Sequence, residues 1–214
     1  MTYKVILFDH DDTLVETLKP KWAQHKYIAH TFYNKELNED DLRLHWGKPL
    51  PLMLKELYKT NDIAQATAYN VAAQQIFPKT LFPETSPVIE ALRLAGKVLG
   101  IVTATTRPNL DYDFSTMNIQ KGYFDYIQTQ EDSDFHKPDP RVFQPTKSWL
   151  SEKGYCYKDV LYIGDALTDL KAARQAKFEF MGTCTGLVSA ETFKAYGVTA
   201  LNSLSDLLSL LSLK

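Results

Sequence analysis

Residues 5–13 read Val5-Ile6-Leu7-Phe8-Asp9-His10-Asp11-Asp12-Thr13, a short apolar run that continues directly into three acids within four residues. Four consecutive apolar residues are typical of a strand buried on both faces, as in a parallel sheet. In open α/β sheets, ligands bind in the crevice outside the carboxyl ends of the strands, which is where these acids would lie. A polar turn or a helix cap would also use Asp and Thr, so the stretch alone leaves both interpretations open.

The chain around this stretch alternates short apolar runs with longer helical patterns. This alternation predicts an α/β fold with a mostly parallel, Rossmann-like sheet. We predict strands at residues 4–8, 98–102, 126–129, 160–163 and 178–182, and helices at 88–94, 141–151, 167–176 and 204–213.

Residues 15–81 interrupt the alternation, because they contain only helical patterns rich in Lys, Gln and Ala. Helices are predicted at 18–32, 39–45, 50–59 and 63–77, separated by Gly and Pro residues. We therefore expect an α-helical cap domain at 15–81, inserted after the first strand of a catalytic core made of residues 1–14 and 82–214.

The composition excludes several classes of protein. The chain has 214 residues, is 44% hydrophobic and 23% charged, and carries a formal net charge of -2. It can thus bury a core, but it lacks the basic excess that nucleic-acid binding requires. Two cysteines are too few for a disulfide framework, and no apolar run is long enough for a signal peptide or a membrane span. We expect a cytoplasmic protein without nucleic-acid or membrane partners.

Polar residues also follow other predicted strands. Thr103 comes after the apolar run 99–102, and Asp165 follows 160–164, with Asp169 one helical turn further on. Lys137 lies between them, beside Pro138, which stiffens the backbone. Helix capping would explain Asp165 alone and solvation would explain Lys137 alone, but four such coincidences at one sheet edge are much less probable than one.

In this order, the motifs resemble those of the haloacid dehalogenase-like hydrolase superfamily, and specifically its phosphatases with a helical cap inserted after the first strand. The resemblance spans nearly the whole chain. It rests on Asp9-His10-Asp11-Asp12-Thr13, Thr103, Lys137 before Pro138, and Gly164-Asp165 with Asp169; in addition, Gly47-Lys48-Pro49-Leu50 resembles the substrate-specificity loop of the cap.

The resemblance implies an aspartate nucleophile and an aspartyl-phosphate intermediate. On it we assign Asp9 as the nucleophile, Asp11 as general acid and base, and Thr103 and Lys137 as catalytic residues that bind the phosphoryl group. Substrate binding is assigned to Thr103, Ala104, Lys137, Gly47 and Lys48. For Lys48 at the cap loop, an anionic substrate group and ordinary solvation are equally good explanations.

The resemblance also implies a magnesium ion, and the charges of the predicted site call for one independently, because four acids converge with a single lysine. The expected Mg²⁺ ligands are Asp9, the backbone carbonyl of Asp11, Asp165, and Asp169 directly or through water. Zinc is not expected, since no His or Cys cluster accompanies the acids.

Two residues depart from the family pattern. His10 and Asp12 stand where an apolar residue and a glycine are usual. Asp tolerates left-handed backbone geometry, so Asp12 can replace glycine in the turn. For His10 we favour a packing or supporting role over a catalytic one.

The predicted function is a Mg²⁺-dependent phosphatase resembling phosphoglycolate phosphatase, which hydrolyses a small phosphorylated metabolite that is a phosphate monoester. A sugar phosphomutase resembling beta-phosphoglucomutase is the first alternative, although 19–22 lacks the histidine that those relatives carry on the first cap helix. A haloacid dehalogenase would not need Asp11, and a catalytically silent binding protein would not need the full set of polar groups. We expect a monomer or a weak homodimer.

Overall fold

The central sheet is built from parallel strands. Within Tyr3–Leu213, the residues described by the computed structural model, six strands form one sheet in the order β5-β4-β1-β6-β7-β8. These strands are β1 Val5–Phe8, β4 Val98–Val102, β5 Tyr126–Gln128, β6 Val160–Gly164, β7 Glu179–Thr183 and β8 Thr199–Leu201. Every neighbouring pair is parallel. The predicted α/β fold class with a mostly parallel sheet is confirmed.

The strand order reverses at β1. From β1 the chain first builds β4 and β5 on one side and then β6, β7 and β8 on the other. Val5 pairs with Val98 of β4 and with Val160 of β6, so β1 is hydrogen-bonded along both edges. A reversal of this kind opens a crevice at the carboxyl ends of the strands. The residue that follows Phe8 therefore stands at the topological switch point of the sheet.

Side chains of β1 alternate between two hydrophobic cores. Ile6 and Phe8 belong to one apolar cluster, whereas Val5 and Leu7 belong to the other. All four are fully buried, which explains the unbroken apolar run in the sequence. Helices pack on both faces: α5 Thr85–Leu94, α6 Arg107–Thr116 and α10 Asp206–Leu210 on the first side, and α7 Gln144–Glu152, α8 Leu167–Ala176 and α9 Ala190–Ala195 on the second.

The chain divides into two compact units. One spans Thr17–Lys79, and the other comprises the described residues on either side of it. The core unit also contains two short antiparallel strands, β2 Val15–Glu16 and β3 Thr80–Leu81, in which Val15 pairs with Leu81. They flank the inserted segment.

The unit 17–79 is helical. It contains α1 Leu18–Tyr33, α2 Glu39–His45, α3 Leu50–Tyr58 and α4 Ile63–Ala73. Its interior holds a polar network in which His25 Nδ1 lies 2.7 Å from Tyr58 Oη, and Asn70 donates to the same hydroxyl at 3.2 Å. Burial, followed by the charge of Lys21, lowers the pKa of His25 to about 4. None of the described helices in either unit is both long and apolar enough to span a bilayer.

Some elements differ from the sequence prediction. The helix predicted at 63–77 ends at Ala73, and the segment 141–151 begins as a 3-10 helix, Pro140–Phe143, before α7. The predictions contain no strand at Thr199–Leu201 and no helix at Arg107–Thr116. In α6 the buried residues are only Leu110, Asp113 and Phe114, so the polar remainder hides the helical period.

Candidate active site

Asp9 is the first residue after β1. Its backbone N–H donates to the Ile163 carbonyl oxygen of β6 at 2.8 Å, so the main chain still follows the sheet where this side chain begins. The side chain is only 13% exposed. Burial raises the pKa of Asp9 to about 6, against the charge of Lys137 and with the help of Asp169. Asp9 is thus an acid largely buried from solvent at the topological switch point of the sheet.

Lys137 joins two of the predicted acids. Its Nζ lies 2.8 Å from Asp9 Oδ1 and 2.7 Å from Asp169 Oδ1, and the lysine side chain is 8% exposed. Burial alone would lower the pKa of Lys137, but the carboxylates of Asp169 and Asp9 hold it well above its usual value. The ammonium also lies 5.2 Å from the centre of the Tyr162 ring. The site therefore contains a permanently charged cation against its acids.

Asp165 and Asp169 are supplied by the end of β6 and the start of α8. Asp169 Oδ2 accepts the backbone N–H of Ala166 at 3.1 Å, so Asp169 caps the helix as well as binding Lys137. The capping role that would have explained Asp165 is thus performed by Asp169. Burial, then the charges of Asp169 and Asp9, raise the pKa of Asp165 well above its usual value.

Two glycines allow these carboxylates to pack against bare backbone. A Cβ on Gly186 would lie 1.8 Å from Asp165 Oδ2, and one on Gly164 would lie 2.7 Å from Asp169 Oδ2. Gly164 belongs to the predicted motif, whereas Gly186 was missed. The available signal for Gly186 was its place after β7, whose carboxyl end lies at the same edge of the sheet.

The acids have the chemistry of a divalent cation site. Among the described residues, Asp9, Asp165 and Asp169 each offer one ligand oxygen, and these oxygens lie within 4.8 Å of one another. Three carboxylates face one ammonium, and burial, followed by the charges of neighbouring carboxylates, raises the pKa values of Asp9 and Asp165. An all-oxygen set suits a hard ion such as Mg²⁺. The residues present therefore fit the metal that the sequence predicted.

Thr103 follows β4 and is almost fully buried, at 5% exposure. Its backbone N–H donates to the Gln128 carbonyl oxygen at 3.0 Å, and its Oγ1 accepts the backbone N–H of Thr105 at 3.0 Å. The hydroxyl can still donate its own proton to an incoming oxygen atom. Ala104 is exposed, and it lines a small cavity together with Thr103 and Lys137.

Asp11 lies in the turn after β1, and its carboxylate is not among the three clustered acids. Asp11 Oδ2 accepts a hydrogen bond from the Thr105 hydroxyl. An oxygen of the Asp11 carboxylate also lies within 4.8 Å of a ring nitrogen of His10 and a carboxylate oxygen of Asp113. The prediction for Asp11 was metal coordination through its backbone carbonyl, which does not require its carboxylate to join the three clustered acids. Thr105 is a second residue that sequence reasoning missed.

The two departures from the family pattern have clear structural settings. His10 is fully buried, and its Nε2 lies 3.0 Å from Asp113 Oδ2, so it pairs with an acid of α6. Asp12 has φ 53°, in the left-handed region. Its backbone N–H donates to the Val15 carbonyl oxygen at 2.7 Å, and its carbonyl accepts from the Thr185 hydroxyl. Asp12 therefore occupies a backbone position that glycine usually takes.

Gly47 and Lys48 belong to the helical unit 17–79, in the turn between α2 and α3. Both are exposed, and Gly47 has φ 81°. Lys48 Nζ lies 3.0 Å from His45 Nδ1. The core unit thus brings together Asp9, Lys137, Asp165 and Asp169. Thr103 follows the adjacent strand β4, and Asp11 lies two residues after Asp9 in the turn after β1. The role of Gly47 and Lys48 in substrate binding stays a prediction.

Comparisons with known proteins agree with this arrangement. A family model described as "Haloacid dehalogenase-like hydrolase" matches residues 6–183. Pyrophosphatase PpaX of Bacillus velezensis is 25% identical over 212 residues, which cover 98% of this chain and 96% of that protein.

Solved structures share the fold. One from Thermotoga maritima, assigned as a beta-phosphoglucomutase, has a TM-score of 0.80 at 19% identity and covers 98% of each chain. One from Haemophilus somnus, assigned as a phosphoglycolate phosphatase, has a TM-score of 0.78 at 20% identity and also covers 98% of each chain. At such identities, the similarity to these structures shows that the chain shares their fold.

Proposed function

Since the chain belongs to the haloacid dehalogenase-like hydrolase family, we propose that it is a phosphatase that hydrolyses a small phosphate ester through a phosphorylated Asp9. The observation that carries the proposal is the buried Asp9 carboxylate, held by Lys137 at 2.8 Å at the switch point of the sheet. A nucleophile that must accept a phosphoryl group needs a fixed position and a neighbouring positive charge.

The reaction proceeds in two displacements. An oxygen of the Asp9 carboxylate attacks phosphorus, the bond from phosphorus to the leaving oxygen breaks, and Asp11 gives that oxygen a proton. Water then attacks the phosphorus of the aspartyl-phosphate, and Asp11 takes the proton of the water. The bond from phosphorus to Asp9 breaks, which releases inorganic phosphate and restores the carboxylate. With a pKa of about 6, Asp9 is mostly ionised at neutral pH, as the first step requires.

Two further residues serve the phosphoryl group. The Thr103 hydroxyl, whose oxygen already accepts the Thr105 N–H, donates its proton to a phosphoryl oxygen. The Lys137 ammonium neutralises the charge that collects there. Both are held by the protein before substrate arrives, so little reorganisation is required.

Mg²⁺ is the proposed metal, with Asp9, Asp165, Asp169 and the backbone carbonyl of Asp11 as the residues that would hold it. When bound, it supplies positive charge that lets an anionic phosphate enter an acidic site. The close packing of Asp9, Asp165 and Asp169 supports this assignment.

The substrate is proposed as a small phosphate monoester of the phosphoglycolate kind. Inorganic pyrophosphate is a second candidate, because the relative from Bacillus velezensis carries the name pyrophosphatase. Both are small anions, and Lys48 of the unit 17–79 is kept as a proposed substrate-binding residue. The cytoplasm is the proposed location, because two cysteines are too few for a disulfide framework.

The test measures inorganic phosphate released from p-nitrophenyl phosphate, with and without Mg²⁺, for the wild type and for Asp9→Asn. We expect turnover that requires Mg²⁺ and is abolished by the substitution, while circular dichroism shows that Asp9→Asn is folded. A panel of phosphoglycolate, pyrophosphate and a hexose 1-phosphate then ranks substrates by kcat/KM. Wild-type inactivity, or an active Asp9→Asn, would refute the nucleophile; conversion of the hexose 1-phosphate without phosphate release would favour the mutase alternative.

A further inference from the structure

Thr105 connects two of the catalytic segments. It follows Thr103 by two residues, and its hydroxyl donates a hydrogen bond to Asp11 Oδ2, 94 residues away along the chain. An ionised carboxylate can only accept hydrogen bonds, so the proton of this bond belongs to Thr105. The contact joins the end of β4 to the turn after β1.

Thr105 is itself held in place by its backbone. Its N–H donates to Thr103 Oγ1 at 3.0 Å, and its carbonyl accepts the Gln130 N–H at 3.1 Å. A β-branched side chain has few allowed rotamers once its backbone is fixed. The fixed backbone of Thr105 therefore holds its hydroxyl in place against Asp11.

The hydroxyl does not serve the helix that begins nearby. The residue before α6 is Thr106, and its side chain makes no capping hydrogen bond to the helix. The first backbone N–H of α6, that of Arg107, is bound by the carboxylate of Glu131 at 2.9 Å. A purely local capping role for Thr105 is thus not supported by its contacts.

We propose that Thr105 is a positioning residue for Asp11, which holds the carboxyl group in the orientation for protonating the leaving oxygen. This inference rests on the proposed function of Asp11 as general acid and base. Proton transfer requires the acid within hydrogen-bond reach of the leaving oxygen.

A comparison of substrates with different leaving groups can distinguish the positioning role of Thr105 from a general effect on stability. Nitrophenolate is a stable anion that departs without a proton, whereas phenolate from phenyl phosphate gains much more from protonation. The parameter kcat/KM reports steps up to the first irreversible one, which here is the attack by Asp9, so it isolates the step that uses the acid.

The experiment compares Thr105→Val, which removes the hydroxyl at nearly constant volume, with Thr105→Ser, which retains it. We expect Thr105→Val to lower kcat/KM about tenfold for phenyl phosphate and less than about threefold for p-nitrophenyl phosphate. Thr105→Ser should stay near the wild type on both. Asp11→Asn should show the same preference in stronger form. Thr116→Val, which removes a hydroxyl bonded to the Tyr112 carbonyl oxygen on α6, is the matched control and should change neither value.

Equal losses on the two aryl phosphates, or a Thr105→Ser variant as impaired as Thr105→Val, would overturn the inference. Crystal structures of the wild type and Thr105→Val provide a readout that does not depend on turnover, because the Asp11 carboxyl group should change orientation in the variant. If the wild type hydrolyses neither ester, the proposed function fails, while an unchanged Asp11 orientation in Thr105→Val refutes the positioning role separately.

Discussion

Lys137 Nζ lies 2.8 Å from Asp9 Oδ1, although 128 residues separate the two along the chain. The lysine is the cation among the clustered acids, and both partners are nearly excluded from solvent. Coulombic interactions are strong in such surroundings, so each partner favours the charged form of the other.

Lys137→Met should lower kcat/KM for p-nitrophenyl phosphate by about 10²- to 10³-fold, the usual loss when a fixed group that stabilises transition-state charge is removed. Stability should fall as well, by about 3 to 5 kcal/mol, because buried carboxylates lose their partner. Steady-state kinetics and urea unfolding measure the two effects. Lys147→Met is the control, since Lys147 lies over the Tyr157 ring, 4.9 Å from its centre, and should keep wild-type activity. Activity of Lys137→Met within threefold of wild type would contradict the assignment.

Tyr162→Phe should reduce kcat severalfold while leaving the fold intact. The Tyr162 hydroxyl donates to the Val102 carbonyl oxygen at 2.9 Å, immediately before Thr103, and lies 3.4 Å from Asp169 Oδ1. Loss of this hydroxyl should cost about 1 to 2 kcal/mol of stability, because the buried Val102 carbonyl loses this hydrogen bond.

The control for that variant is Tyr126→Phe, which removes a hydroxyl bonded to Gln128 Oε1 at 2.9 Å within the edge strand β5. It should lose stability without losing kcat. A matching loss of kcat in both variants, compared after confirming equal folded fractions by circular dichroism, would show that Tyr162 contributes only through stability.

Gly186→Ala should impair turnover more than stability. The added Cβ would lie 1.8 Å from Asp165 Oδ2, so either the loop or the carboxylate must move. A displacement of about 1 Å in an active site can cost up to about 100-fold in rate. We expect a loss of tenfold or more in kcat and a higher Mg²⁺ concentration for half-maximal activity. A Cβ on Gly122 would meet no atom within 4 Å, and Gly122 has no positive φ, so the kinetics of Gly122→Ala should match the wild type. An unaffected Gly186→Ala would contradict the prediction, because it would mean that the loop moves without disturbing Asp165.

The unit 17–79 should lose stability in mild acid through His25. Its folded pKa of about 4 lies below the ordinary value of 6.5, so the unfolded chain binds the proton more readily. The contribution of His25 is therefore complete above about pH 6.5 and is lost as the pH falls to about 4, by about 3 kcal/mol. Urea unfolding at several pH values measures this slope, and tryptophan fluorescence is a suitable probe because the Trp46 ring lies 6.4 Å from that of His25.

His25→Gln should flatten this dependence over the same pH range. His30→Gln is the control, because His30 is exposed and paired with the exposed Glu36, and it should retain the wild-type slope. A wild-type slope in His25→Gln would assign the acid sensitivity to other groups.

Much of the core could be predicted from the sequence because buried parallel strands are continuous apolar runs. The strand at Val98–Val102 and the helix at Leu167–Ala176 have the predicted bounds. Edge strands carry less signal: Thr199–Leu201 has three residues, of which only Leu201 is buried. A strand this short cannot show a period.

The site was predictable where a residue follows a strand directly, as Asp9, Thr103 and Asp165 do. Parallel strands end at one edge, so position in sequence implies position in space. The contacts of Thr105 and Gly186 could not be predicted in this way. Thr105 is one threonine among several in 103–106, and only the fold determines which hydroxyl reaches Asp11. Gly186 is important because it has no side chain, which leaves room for the Asp165 carboxylate. The sequence alone does not indicate which group lies against this glycine.

The antiparallel pair formed by β2 and β3 has a consequence for what the core can accommodate. Val15 lies opposite Leu81 and Glu16 opposite Thr80, so the inserted segment leaves and rejoins the core at points about one strand spacing apart, about 4.8 Å. A junction this narrow can be closed by a tight turn or spliced to an unrelated insertion without altering the parallel sheet. A different length or sequence of segment 17–79 would therefore be compatible with the same parallel sheet and with the same acids and lysine at its edge.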